Sequence, residues 1–437
     1  MRQIRRSRLC AIALLVLLLD ARLPLGAQQS GSGGTNRPDQ RDKPYMVLVS
    51  LDGFKAEYLD RMPLPNLRRV MQRGARAKAM VPVFPSLTFP NHYSLVTGMH
   101  PGRHGIVANR FYDPASKASY VYTDSKIVSD RTWYRGEPIW VTAEKQGMVS
   151  ACFFWPGSEA PVQGIHATMW NPYNGKILNE ERVSTVLKWL QLPVERRPHV
   201  ITLYFSEVDT ATHEGPVEAP EVEQAARSLD TAVGQLLDGI DTLPFRDRVY
   251  LVITSDHGMV NTSPAQTVTL DSLLDAKDLA DVVIGFGGPV ANIHVKGGAP
   301  RARALVEKIN AKLARGTAYV RAELPERYHY HADPRAGDIV VVMDESWTMS
   351  MPRAPRTSGA ESAERPANDR RGAHGWDNMF PSMRAIFLML GPGIREGALV
   401  DEVNNVDVYP LMTELLGLAP AADIDGRAGR IGALVRK

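Results

Sequence analysis

Cysteine is nearly absent from this chain. Of 437 residues only Cys10 and Cys152 carry a thiol, so no internal disulfide framework holds the fold. Long apolar runs are missing too. The most apolar stretch, Leu9 to Leu19, falls short of the ~20 residues that span a bilayer. A strong charge of either sign is also lacking. The net charge is +3, and residues 1–27, with five Arg and one Asp, account for +4 of it. The remainder stands at −1, which excludes a general polyanion-binding role. Internal repeats are not found. What remains is the composition of an ordinary globular protein, 44% hydrophobic and 23% charged.

The first 27 residues read as an export signal. Arg2, Arg5, Arg6 and Arg8 form a charged start, Leu9–Leu19 an apolar middle, and Leu25-Gly26-Ala27 a small-residue cleavage site. Export without disulfides points to a bacterial periplasmic or secreted protein, with no membrane span after cleavage. Residues 28–43, rich in Gly, Ser, Gln and Asn, are expected to be a disordered linker. The catalytic domain is then 44–437.

Short β-branched runs recur through that domain: Tyr45–Leu51, Met148–Phe154, His199–Phe205, Val249–Thr254 and Ala385–Leu390. Helical periodicity fills the gaps, as at Leu67, Val70 and Met71 and again from Val222 to Leu237. Alternation of this kind predicts an α/β fold with a mainly parallel central sheet flanked by helices. Ala291–Val295, a helix through Leu305 and Ile309, and Asp338–Met343 form a small α+β insertion. It spans about 291–371 and closes on a loop, Met351–Arg371, expected to be mobile. Cys152 lies in a strand pattern and reads as a buried structural thiol.

Metal-capable side chains follow these strands. Asp52 ends the first, Asp209 and His213 follow the third, and Asp256-His257-Gly258 ends the fourth. His374 stands in Gly-Ala-His-Gly-Trp after the mobile loop. Singly, each has an ordinary reading: a turn at Asp52-Gly53, an i,i+4 pair at Asp209 and His213, a loop histidine like His92, His100 or His104. Ligands of open α/β sheets bind beyond the carboxyl ends of strands, and the coincidence at several strand ends raises the metal reading. Three Asp and three His suit two zinc ions with three protein ligands each. A nucleophile is offered by Thr88 in Phe84-Pro-Ser-Leu-Thr-Phe-Pro-Asn-His92, before a helix expected to start near Asn91; Ser86 is the competing hydroxyl. Backbone N–H groups at a helix start favour a phosphoryl group there.

Asp52, Thr88, Asp209-x-x-x-His213, Asp256-His257 and Gly-x-His374-Gly follow the order of the alkaline phosphatase superfamily. The segments Phe84–His92, Leu95–Ile106 and Ser255–Met259 resemble the signatures of its nucleotide pyrophosphatase/phosphodiesterase family, and the likeness runs from about Tyr45 to Leu418. The resemblance implies an alkaline-phosphatase-like three-layer sandwich. It implies one zinc on Asp52, Asp256 and His257, a second on Asp209, His213 and His374, and Thr88 between them as nucleophile. Asn109 resembles the family's phosphate-holding Asn, and Phe89, Tyr173 and Tyr204 its nucleobase slot. Arg110, next to Asn109, adds a cation that would suit a more anionic phosphate. No Lys-x-Arg pair of the kind used by related monoesterases occurs. The expectation is therefore a nucleotide diester or pyrophosphate substrate cleaved to nucleoside 5′-monophosphates through a covalent threonine intermediate. A phospholipid-type diester or a phosphomonoester is the alternative. No stable nucleic-acid complex is expected.

Overall fold

The computed structural model describes residues 34–350 and 365–436. The export signal and most of the Met351–Arg371 loop lie outside the described residues. The strand order of the eight-stranded sheet is Leu399–Asn404, Ala75–Val81, Phe387–Leu390, Val249–Thr254, Tyr45–Leu51, Val200–Phe205, Ser150–Phe153, Met169–Asn171. Every neighbouring pair is parallel except those made by Phe387–Leu390, which runs against both neighbours. The central strands are buried along their whole length, as parallel strands covered on both faces must be.

Two groups of helices cover the sheet. Pro65–Arg73, Asn179–Leu190 and Glu207–Glu214 pack on the long helix Pro220–Asp241. Thr88–Thr97 and Ile139–Lys145 pack on Val408–Leu416. The expected three-layer α/β architecture is therefore present. Cys152 is fully buried, and burial pushes its thiol up to about 12.

The insertion is larger than the sequence reading placed it. Its four-stranded sheet runs Val282–Phe286, Val290–Val295, Ile339–Met343, Gly316–Val320 and is antiparallel throughout. It starts before residue 291 because Val282–Phe286 pairs with Val290–Val295 across a short turn. It has its own core, in which Ile293, Leu305, Ile309 and Val341 are buried.

The linker expectation also fails over its described part. From Gly34 the chain is docked on the body. Asn36 is buried; its amide donates to Val194 O at 2.8 Å and Arg197 O at 2.7 Å, and its Oδ1 accepts from Val149 N at 2.7 Å. One side chain supplies the bonds of a strand edge, which a polar composition conceals. Among the described residues, no helix is long and apolar enough to cross a membrane.

Candidate active site

Five of the six expected ligands, Asp52, Asp209, Asp256, His257 and His374, lie together beyond the strand ends, with His213 at the rim. Asp52 leaves Tyr45–Leu51 through Gly53, whose φ of 68° is left-handed and whose Cα faces Asp209 so closely that a Cβ would lie 3.0 Å from the Asp209 backbone. The Gly53 N–H donates to Asp256 Oδ1 at 3.1 Å, tying the first and fourth sites together. Asp209 and His213 lie one turn apart on Glu207–Glu214, their Oδ1 and Nε2 at 3.4 Å. His374 follows a short strand, Arg371–Ala373, that pairs with Val260–Thr262 just beyond Asp256-His257. The two histidine-bearing segments are thus hydrogen-bonded to each other.

The donor atoms converge as two groups, Asp52 with Asp256 and His257, and Asp209 with His257 and His374, each within 4.8 Å. The first is the expected triad. In the second His257 stands where His213 was expected. His213 belongs to neither group, though its ring centroid lies 5.2 Å from that of His374. His213 is half-exposed at the rim.

The hydrogen bonds choose the tautomers. Nδ1 of His213 lies 3.1 Å from Gly372 O, Nδ1 of His257 3.0 Å from Gly258 O, and Nδ1 of His374 3.0 Å from Ser86 O. A carbonyl only accepts, so each Nδ1 carries the proton and each Nε2 presents a lone pair inward. His257 Nε2 lies 2.9 Å from Asp256 Oδ2 and 3.6 Å from Asp52 Oδ1. Asp52 Oδ1, Asp209 Oδ1 and Asp256 Oδ2 are buried without a hydrogen-bond donor. Lone pairs facing lone pairs in a dry site is an arrangement that divalent cations resolve, and the donor set of hard oxygens and imidazole nitrogens fits them.

The carboxyls feel this crowding unequally. Burial, then the charges of Asp256 and Asp209, hold Asp52 well above the usual range. Burial lifts Asp256, and positive charge on the neighbouring His257 and His92 rings, with the Gly53 N–H, acts the other way and lowers it. Burial and the stacked His257 ring, 3.6 Å away, push His374 down to about 3.

Thr88 is the first residue of the helix Thr88–Thr97, three residues before the expected start. Pro90 fits a first turn, where its missing N–H costs nothing. Asn91 instead staples the preceding loop, with Oδ1 accepting from Val83 N at 2.7 Å and Nδ2 donating to Leu87 O at 2.9 Å and Pro85 O at 3.0 Å. Thr88 Oγ1 lies 3.3 Å from Nε2 of His257, the residue common to both groups. Ser86 is buried and donates to Trp376 O at 3.0 Å. Asn109 Oδ1 accepts from Phe89 N at 2.9 Å, which leaves its amide N–H₂ to face the cleft. Thr88 and Asn109 line a pocket of about 510 Å³ that also holds Asp52, Asp209, His213 and His374. Phe89, Tyr173 and Tyr204 all line it, Tyr173 53% exposed. Tyr204 is only 9% exposed, and its hydroxyl donates to Asp52 Oδ2 at 2.5 Å. Its polar end is committed to a carboxylate rather than to the slot.

The sequence profile described as type I phosphodiesterase / nucleotide pyrophosphatase matches residues 46–377. The chain belongs to this family. It is 37% identical over 412 residues to mouse ectonucleotide pyrophosphatase/phosphodiesterase family member 1, covering 92% of this chain and 44% of that protein. It is 34% identical over 418 residues to a venom phosphodiesterase of Crotalus durissus collilineatus, covering 93% of this chain and 48% of that one. The chain thus spans less than half the length of these relatives. The solved structure of murine ectonucleotide pyrophosphatase/phosphodiesterase 5 superposes with a TM-score of 0.80 at 29% identity, over 90% of this chain and 100% of that chain. An inactive threonine-to-alanine variant of that murine protein was solved with AMP.

Against the family pattern, several site residues escaped sequence reasoning. His92, set aside as a loop histidine, is buried with Nδ1 2.9 Å from Thr88 O and 3.4 Å from Asp256 Oδ2. Its place four residues after Thr88 on one helix face was the available signal. Tyr122, Phe154, Trp155 and Glu159 also line the pocket, and nothing local in the sequence marks them. Arg110 is turned away from the role its position suggested: its guanidinium lies 5.5 Å from the Tyr122 ring centroid, and Nη2 donates to Thr123 Oγ1 at 3.4 Å.

Proposed function

We propose that this chain is an exported two-zinc phosphodiesterase and pyrophosphatase that cleaves nucleotide diesters and pyrophosphates to nucleoside 5′-monophosphates. One observation carries the reading. Thr88 Oγ1 sits at a helix start beside an imidazole shared by two groups of cation ligands, in a pocket walled by Phe89 and Tyr173. Asp52, Asp256 and His257 would hold one cation; Asp209, His374 and His213 the other, with His213 swinging inward from the rim. Bound there, divalent cations supply Lewis acidity that lowers the hydroxyl pKa and offsets charge on the attacking and leaving oxygens.

The residues do the rest. Thr88 Oγ1 gives up its proton to solvent and forms a bond to phosphorus while the bond to the leaving oxygen breaks, and that oxygen departs with the electron pair, taking a proton from solvent where its basicity requires one. The Thr88 N–H, first of its helix, and the Asn109 amide hold a non-bridging oxygen that keeps its charge. Water then attacks phosphorus and loses a proton, the bond to Oγ1 breaks, and Oγ1 takes up that proton to restore the Thr88 hydroxyl. Asn109 is oriented for this by its bond to Phe89 N. The inactivity of the murine threonine variant is in keeping with this role.

The pocket favours a diester, because among the described residues no Lys or Arg lines it to meet a third phosphate oxygen, and Arg110 is engaged with Tyr122 and Thr123. The reading is tested by comparing a nitrophenyl nucleotide diester with nitrophenyl phosphate on zinc-loaded protein. Faster turnover of the monoester would overturn the substrate assignment, and turnover of a phospholipid diester above the nucleotide would support the alternative.

A further inference from the structure

Residues 105–109, which end in Asn109, form neither helix nor strand. Backbone of that kind has no ladder of its own to fix it, so other groups must bond it. The insertion supplies them. The connection between its strands Gly316–Val320 and Ile339–Met343 lies against this segment. Tyr330, in that connection, is fully buried, and its hydroxyl donates to Val107 O at 2.8 Å. The same hydroxyl accepts from Asn292 Nδ2 at 3.0 Å, and that amide also donates to Ala336 O at 2.7 Å. Arg335 Nη1 donates to Gly105 O at 3.1 Å and Trp133 O at 2.8 Å. The insertion thus bonds alternate carbonyls, Gly105 O and Val107 O, just before Asn109. The Tyr330 ring also meets Phe84 edge-on, with centroids 5.3 Å apart and planes at 88°. Phe84 opens the loop that delivers Thr88. Gly102 permits the close approach, since a Cβ there would lie 2.6 Å from His329 O.

We propose that Tyr330 is a positioning residue for phosphoryl transfer: its hydroxyl fixes the Val107–Asn109 backbone and so aims the Asn109 amide at the non-bridging phosphate oxygen. Tyr330 does not line the pocket and acts only through this segment. The insertion, which has its own core, is then a working part of the site. The inference rests on the reading of Asn109 as the amide that holds that oxygen. A misplacement of about 1 Å can cost on the order of 10²-fold in rate, and loss of one of the several bonds on this segment sets the effect at about tenfold.

The test measures kcat/KM for thymidine 5′-monophosphate p-nitrophenyl ester, with zinc content, in wild type, Tyr330→Phe, Asn109→Ala and the double variant. Tyr330→Phe keeps the ring against Phe84 and removes only the hydroxyl. Its kcat/KM is expected to fall about tenfold at unchanged zinc content. In the Asn109→Ala background the same change is expected to cost less than about twofold, because the amide it aims is gone. Asn292→Ala, which removes the donor to the hydroxyl, is expected to give a smaller loss with the same dependence on Asn109. That variant decides the matter if Tyr330→Phe does not fold. Equal losses in both backgrounds, no loss at all, or a loss that follows zinc content would overturn the proposal and leave Tyr330 a packing residue. An Asn109→Ala protein as active as the wild type would instead overturn the reading of Asn109 itself.

Discussion

Thr88 carries a hydroxyl of ordinary chemistry in an unusual place: a helix start, 3.3 Å from an imidazole that two carboxylate groups share. Removing that oxygen leaves the six ligands untouched. Thr88→Ala is expected to bind zinc as the wild type does and to lose turnover by about 10³-fold or more; full activity in that variant would reassign the nucleophile. Tyr204 acts one step further out, donating to Asp52 Oδ2. Tyr204→Phe is expected to weaken metal binding by about tenfold, read by competition with a chelator. An unchanged affinity would show that this bond does not orient the ligand. At this scale the ligands were legible because each follows a strand, where chain direction alone brings side chains to one edge. Tyr122 was not legible. Two apart, Tyr120 and Tyr122 would share one face of a continuous strand, and nothing local says that the strand ends at Val121, leaving Tyr120 buried and Tyr122 at the cleft. His213 was legible as a ligand candidate, yet its rim position was not, since i,i+4 spacing sets a helix face but not a side-chain rotamer.

Elements place these residues through close backbone approaches. Gly258 follows Asp256-His257, and a Cβ built on it would come 2.1 Å from Ser382 O. The residue is small because a neighbouring loop crosses it, not because its backbone is left-handed. Gly258→Ala must therefore move one of the two segments, at a cost of about 3 kcal/mol. The expected result is a lower melting temperature together with fewer zinc ions per chain. Normal zinc content in a folded variant would show that the crossing does not govern the site. Strand and helix positions were read well where periodicity was strong, as at Tyr45–Leu51 and Val249–Thr254. The start of the Thr88 helix was misplaced because Asn91 looks like a cap, whereas its side chain bonds backward to the proline-bounded loop. The insertion boundary was missed because Val282–Phe286 shows little that separates it from a buried helix turn.

The whole molecule buries histidines far from the site, and these set its response to acid. Burial, then the charges of His100 and Arg135, push His104 down to about 3; its Nδ1 accepts from Ile106 N at 3.2 Å, a bond a second proton would break. Burial, with Arg248 and Arg197 nearby, pushes His199 down to about 4. Both are neutral in the fold and free to charge once unfolded. Stability is therefore unaffected above about pH 6.5 and falls as pH drops toward 4, by about 1.4 kcal/mol per pH unit for each group. Urea unfolding at pH 7 and pH 5 checks this, and His199→Gln should flatten the slope by about one proton; a slope no shallower in that variant would contradict it. The alternation of strands and helices made the α/β class readable across the whole chain. The docked segment from Gly34 was not readable, because its order comes from one buried asparagine rather than from composition. The account as a whole turns on a covalent bond to one atom. Zinc-loaded protein quenched during turnover of a nucleotide diester and then digested should carry a nucleoside monophosphate on Thr88. A nucleotide found on Ser86, or turnover with no modified residue at all, would contradict it.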